Sequence, residues 1–337
     1  MMTGKKKIVW IIILALAGSL WVMSFDFSDK PERLTYGVSF SKFHTDELKL
    51  DWKETYLALL NDLGVRHFRF SAHWPLTEPS EGKYNFSELD FQMKEAKAKN
   101  ATVIMAVGRR LPGWPECHVP GWAKDLSWPE QQARILKLIE TVVERYKGYD
   151  NIIYWQVENE GFLTGFSRSH CGELDREFLQ KEIDLAHSLD SRPVLMTDSG
   201  EFGTWLGAYK SGDVFGTSMY LYVWPRSVGF PLRYPITPGF FRLKYNIINL
   251  LAGTKPSIVI EMSMEPWLLQ PIVDTPLDVQ LQRMGIDKFN EMINFSSKTG
   301  FNTFYLWGAE WWYWLDKQGH PEHWQKAKEL FAPQRLL

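Results

Sequence analysis

Eight short runs rich in β-branched and aromatic residues, each followed by a stretch with helical periodicity, restrict this chain more than any other feature. The runs fall at residues 35–40, 67–73, 102–107, 152–157, 193–197, 214–220, 257–260 and 302–307. Several are apolar almost throughout, the pattern of parallel strands covered on both faces rather than of a sheet with one wet side. Between them, residues 130–146 place Ile135, Leu138, Ile139, Val142, Val143 and Tyr146 on one helical stripe. Ser127-Trp128-Pro129-Glu130 reads as a capping box with Pro in the first turn, and Gly148 as the stop. Residues 51–63, 88–99 and 278–298 show the same helical character, with Gly64 and Gly300 closing the first and last. Eight strand–helix units predict an α/β fold, the (β/α)8 or TIM barrel. The rival is an open doubly wound sheet, which normally carries a glycine-rich phosphate turn after its first strand. Here that strand ends Gly37-Val38-Ser39-Phe40-Ser41-Lys42, so the barrel is preferred.

Ahead of the barrel, Lys5-Lys6-Lys7 precedes an uncharged run over residues 8–25. As a helix such a run approaches the roughly 30 Å hydrocarbon thickness of a bilayer, and its basic flank favours sending the rest of the chain across. Three readings compete: an uncleaved signal anchor, a signal peptide cut near Ala15-Leu16-Ala17, and a buried core element. The first two predict an export segment over residues 1–28 and a barrel domain over 29–337. The barrel would then be extracytoplasmic, either membrane-anchored or secreted. Cys117 and Cys171 are the only cysteines. In an exported chain they permit one disulfide, and two unpaired thiols are the alternative. Neither CxxC nor HxH nor HExxH spacing occurs, which argues against a metal site. The formal net charge of −2 argues against a nucleic-acid partner. Oligomeric state has no signature in the sequence.

Barrel active sites lie at the carboxyl ends of the strands. The fourth run closes Val157-Glu158-Asn159-Glu160 and the seventh continues into Glu261, with Glu265 four residues later. A carboxylate closing an apolar strand sits on a costly border unless it has a partner or a task. Strands four and seven lie nearly opposite in an eight-strand ring, so Glu160 and Glu261 can face each other over the mouth. Such a pair is the machinery of glycoside hydrolysis. The plain alternative is two salt-bridged rim residues. By strand alternation Glu158 points to the same side as Glu160. His73, Trp74, Arg109 and Arg110 close strands two and three and are placed either to bind substrate or to fill the mouth. Aromatic residues make up 15% of the chain, 16 of them Trp. They concentrate in the loop over residues 108–122 and in Trp311-Trp312-Tyr313-Trp314, where flat rings suit either sugar stacking or packing.

Val157-Glu158-Asn159-Glu160 resembles the Asn-Glu acid/base motif of clan A glycoside hydrolases, the retaining barrel enzymes that include cellulases, β-mannanases and β-galactosidases. Arg69-Phe70-Ser71-Ala72-His73-Trp74, with Glu78-Pro79-Ser80-Glu81-Gly82-Lys83-Tyr84-Asn85-Phe86 and Leu89-Asp90, is similar to their strand-two segment. The resemblance covers about residues 34–315. It implies a retaining O-glycosyl hydrolase working by double displacement on a β-linked oligo- or polysaccharide, without cofactor or metal. Glu160 would be the acid/base and Glu261 the nucleophile, Glu265 being the competing choice. Asn159 would bind the hydroxyl beside the reacting carbon, Arg69 would orient and hold the nucleophile ionised, Tyr220 would hydrogen-bond it, and Trp307 would be the stacking platform. A carbohydrate-binding or transglycosylating barrel with little hydrolysis is the alternative.

Overall fold

The computed structural model describes residues 4–23, 33–163, 165, 168–226 and 228–332. Its centre is a closed barrel of eight parallel strands. In chain order they are β1 (Thr35–Ser39), β2 (His67–Ser71), β3 (Thr102–Val107), β4 (Ile152–Val157), β5 (Val194–Asp198), β6 (Val214–Met219), β9 (Ser257–Ser263) and β10 (Thr303–Trp307). The remaining two, β7 (Tyr222–Val223) and β8 (Leu232–Arg233), form a small antiparallel ribbon in the connection after β6. β1 pairs with both β2 and β10, which closes the ring. All eight barrel strands coincide with the eight runs to within a few residues.

Inward-facing Ile104, Leu195, Val214, Ile258, Ile260 and Tyr305 fill the barrel, with Ile153 and Tyr154 against them. The larger apolar mass lies outside the ring, between strands and helices. There the helix Trp128–Tyr146 buries the six stripe residues named above. The Glu130 carboxylate accepts the Ser127 N–H at 2.8 Å, closing the capping box. Residues 278–298 form two helices, Leu277–Arg283 and Ile286–Ser296, where periodicity alone predicts one. Gly285 caps the second, and a helix interior disfavours glycine by about 1 kcal/mol relative to Ala.

Two details of strand register aim the mouth residues. In β9 the pairing with β6 steps from Thr217↔Val259 to Ser218↔Glu261, so β9 carries one extra residue at this point. Strict alternation would put Ile260 inside the barrel and Glu261 outside. The bulge turns both inward. At the end of β4, Glu158 and Glu160 both take left-handed backbone, with φ of 55° and 48°. Non-glycine residues pay roughly 1–2 kcal/mol for this conformation. It cancels the alternation rule beyond Val157, so Glu158 and Glu160 do not share a side.

The amino-terminal run forms a helix, Gly4–Met23, and the expected membrane-spanning element finds no support. Among the described residues no helix is long and apolar enough to cross a membrane. The lysines lie inside the helix, which leaves 16 uncharged residues, 8–23. The end of the run and the expected boundary at residue 28 lie outside the described residues.

Candidate active site

Arg69 organises the mouth. It projects from β2, is 1% exposed, and distributes its donors to β4, the turn after β4, and β9. Nε donates to Gln156 Oε1 at 2.8 Å, Nη1 to Glu261 Oε2 at 2.7 Å and Nη2 to Asn159 Oδ1 at 2.7 Å. The other oxygen of Glu261 accepts the Tyr220 hydroxyl at 2.6 Å. Glu261 thus has a cation on one oxygen and a neutral donor on the other, both charge-assisted bonds. Tyr220 is half-buried, and desolvation together with the neighbouring Glu261 charge holds its hydroxyl well above the ordinary range, so it remains a donor. Trp267 packs edge-on against the Tyr220 ring at 5.4 Å.

Glu160 has different surroundings. Its backbone N–H donates to Thr197 Oγ1 at 2.7 Å, tying the loop after β4 to β5. Its carboxyl is raised well above the ordinary carboxylate value, first by desolvation, then by the nearby charges of Glu116 and Glu261, against a hydrogen bond with Ser218. One carboxylate held by a buried arginine and another whose proton is retained by burial and repulsion form the asymmetric pair that acid and nucleophile roles need.

Glu265 sits differently from either. Its Oε1 accepts the Trp307 indole N–H at 2.7 Å and its Oε2 lies 2.6 Å from His44 Nε2. The His44 ring stacks on Trp307 at 5.7 Å. Burial pulls His44 down, but Glu265 and Glu47 together carry it well above 6.5. The His44–Glu265 pair therefore holds the indole of Trp307, half-buried at the end of β10, in one orientation.

Trp74 and His73 do not line the cleft as sugar-binding groups. Trp74 is fully buried, with its indole N–H donating to Glu78 Oε2 at 2.8 Å and its ring edge-on to Trp122. His73 is 2% exposed, donates to the Pro112 carbonyl at 3.1 Å, and packs among Phe43 and His118. Desolvation, His118 and Arg69 keep it neutral, well below 6.5. Both are packed into the interior rather than presented to the cleft. Glu158 likewise turns away from Glu160: its two oxygens accept the backbone N–H groups of Arg109 and Arg110, each at 2.6 Å. Glu182, pushed up by desolvation and by Glu158, shares a hydrogen bond with it. Gly108 makes room for this arrangement, since a Cβ there would stand 2.3 Å from Glu158 Oε1 at a φ of 124°.

Cys117 and Cys171 form a disulfide with Cα atoms 5.3 Å apart, joining the loop after β3 to the short helix Arg168–Cys171. Three site residues escape the sequence argument. Gln156, which presents its carbonyl to Arg69, could have been found from its inward position on β4. His44 and Glu116 have no sequence signal, because only folding brings them to the mouth. Among the described residues no cluster of His, Cys, Asp and Glu could hold a metal ion.

The model of Glycosyl hydrolase family 10 matches residues 58–196, which include Arg69, Asn159 and Glu160 and stop short of Glu261. Beta-galactosidase LacZ of Lactobacillus acidophilus is 31% identical over 134 residues, 35% of this chain. The resemblance to clan A glycoside hydrolases is shown. The chain spans about a fifth of that relative's length (20%). Among solved structures, a beta-galactosidase from Rahnella sp. R3 has a TM-score of 0.56 at 14% identity, over 90% of this chain and 56% of that one. An endo-beta-1,4-xylanase of glycoside hydrolase family 10 from Gloeophyllum trabeum gives 0.53 at 15% identity, over 82% and 85%. These two likenesses carry the barrel fold.

Proposed function

We propose that this protein is a retaining glycoside hydrolase acting on a β-linked glycan. The observation that carries the reading is the unequal environment of the two carboxyls: Glu261 gripped by Arg69 and Tyr220, Glu160 desolvated and facing negative charge. In the first step Glu160 gives its proton to the glycosidic oxygen while Glu261 attacks the anomeric carbon, forming a glycosyl-enzyme and releasing the aglycone alcohol. In the second, Glu160 takes a proton from water, the resulting hydroxide attacks the same carbon, and Glu261 leaves as carboxylate. Asn159 has its carbonyl oxygen committed to Arg69, which leaves its NH₂ to donate to a sugar hydroxyl beside the reacting carbon. Trp307, oriented by Glu265, supplies an apolar face for the ring. The β-linkage is favoured by the similar proteins, β-galactosidases and an endo-β-1,4-xylanase. An extracytoplasmic location is part of the proposal, because the Cys117–Cys171 disulfide suits an oxidising compartment.

The test is a panel of aryl β-galactosides, β-xylosides, β-glucosides and β-mannosides, with Glu160→Gln and Glu261→Gln as controls. Turnover should be lost in Glu261→Gln, and the first-formed sugar should keep the β-configuration. Undiminished turnover in both variants, or inverted product, overturns the reading.

A further inference from the structure

Glu116 is a third carboxylate beside Glu160 and Glu261, and the double-displacement chemistry leaves it without a task. It belongs to the loop after β3, immediately before Cys117 of the disulfide. Its backbone is left-handed, with φ of 69°, in a tight turn where its N–H donates to the Gly113 carbonyl at 2.7 Å and its own carbonyl accepts the Leu111 N–H at 2.9 Å. Its side chain is 12% exposed and bound to an Arg110 that is 7% exposed: Nε donates to Glu116 Oε2 at 2.7 Å, and Nη2 lies 2.6 Å from the same oxygen.

Arg110 in turn clasps the loop that carries Glu160, on both sides of it. The Asn159 N–H donates to the Arg110 carbonyl at 2.6 Å, and Arg110 Nη1 donates to the Leu163 carbonyl at 2.6 Å. The Arg110 N–H is itself fixed on Glu158. The hydrogen-bonded connections from Glu116 to the loop that bears Glu160 therefore run through Arg110, by its buried guanidinium and its main chain, and the disulfide ties down the loop that carries Glu116. We propose that the Glu116–Arg110 pair is a positioning device for Glu160: Arg110 sets the loop that bears the acid/base, and Glu116 sets the charge that it faces. This rests on the glycosidase reading above.

The charged and titratable groups that face Glu160 are Glu116 and Arg110 from the loop after β3, Glu261 from β9 and Tyr220 from the end of β6. Of these, Glu116 opposes loss of the Glu160 proton more than Glu261 does, and Arg110 works in the opposite direction. Neutralising Glu116 removes a repulsion and also leaves Arg110 without its counter-charge. Both changes favour ionised Glu160. The acid/base must be protonated for the first step, so activity falls as pH rises through its titration. The basic limb of kcat/KM must then move to lower pH.

The experiment compares pH profiles of kcat/KM on an aryl β-glycoside for the full chain, Glu116→Gln and Glu116→Asp. Glu116→Gln should shift its basic limb down by roughly one pH unit, and Glu116→Asp, which keeps the charge, should return the limb toward the parent. An unmoved limb in Glu116→Gln overturns the proposal. So does loss of turnover that added azide restores, because Glu116 would then be the proton donor itself. Should Glu116→Gln not fold, the Cys117→Ser/Cys171→Ser double variant releases the same loop. A downward shift there supports the pairing, and an unchanged profile refutes it. A parent without glycosidase activity, or an undiminished Glu261→Gln, fails the glycosidase reading first and takes this one with it.

Discussion

Replacing Arg69 by Met removes the centre of the mouth, and the cost can be apportioned. The side chain is fully buried and bonds one carboxylate and two amide carbonyls. Breaking a buried ion pair by deleting one partner costs about 3–5 kcal/mol, because the other charge is left uncompensated. At the low end of the usual 2–4 °C per kcal/mol, suited to a large domain, Tm falls by about 6–10 °C. The stranded carbonyls of Gln156 and Asn159 add to this, but they are equally stranded in Arg69→Met/Glu261→Gln. A double-mutant cycle therefore cancels them and isolates the pairing with Glu261. Because glutamine carries no charge to strand, the double variant should be more stable than the sum of the single effects by about 2 kcal/mol, within the range found for contacting residues. Urea denaturation followed by circular dichroism at neutral pH measures all four corners. Additivity within about 0.5 kcal/mol would refute the ion pair as the element that holds Glu261.

Tyr220→Phe deletes a hydrogen bond to a charged acceptor, worth about 1.5–3 kcal/mol, and should lower kcat/KM by about 10- to 150-fold while thermal unfolding confirms an intact fold. Glu310, 1% exposed and accepting the Ser41 N–H at 2.7 Å, is raised by desolvation to about 7. Its folded value lies above its unfolded one, so its contribution to stability is fully present below about 4.5 and is lost as pH rises through about 7. Glu310→Gln should flatten the pH dependence of unfolding free energy across that window, and an unchanged slope would refute it. The disulfide closes a loop of 54 residues, for which chain entropy predicts about 4 kcal/mol. Cys117→Ser/Cys171→Ser should lower the urea midpoint accordingly, and an unmoved midpoint would show the loop to be held without it.

The fold was legible because buried parallel strands write themselves as uninterrupted apolar runs, and all eight runs became barrel strands. Arg69, Asn159, Glu160, Tyr220 and Glu261 converge on one mouth, since strand order alone carries their ends to one rim. What stayed hidden depends on register and on contacts between distant loops. The extra residue at Ile260–Glu261 appears only when β9 is laid against β6, and the left-handed turns at Glu158 and Glu160 defeat a period-two reading of side. Trp74 looked like a rim aromatic because it follows β2, yet the chain turns into the short helix Trp74–Thr77 and carries the indole into the wall. Glu116 and His44 gain their places from folding, the one through a disulfide-tied loop and the other through a helix 221 residues away from Glu265.

The irregularity in β9 makes the length of that strand, more than its composition, the vulnerable quantity. Laid out in regular pleat at its full length, residues 257–261 would swing the Glu261 carboxylate out among the surrounding helices with every side chain of the mouth still present in the sequence, whereas a segment one residue shorter needs no bulge to keep it inward. Homologues that differ by one residue in this segment should therefore be compared by counting before they are compared by identity.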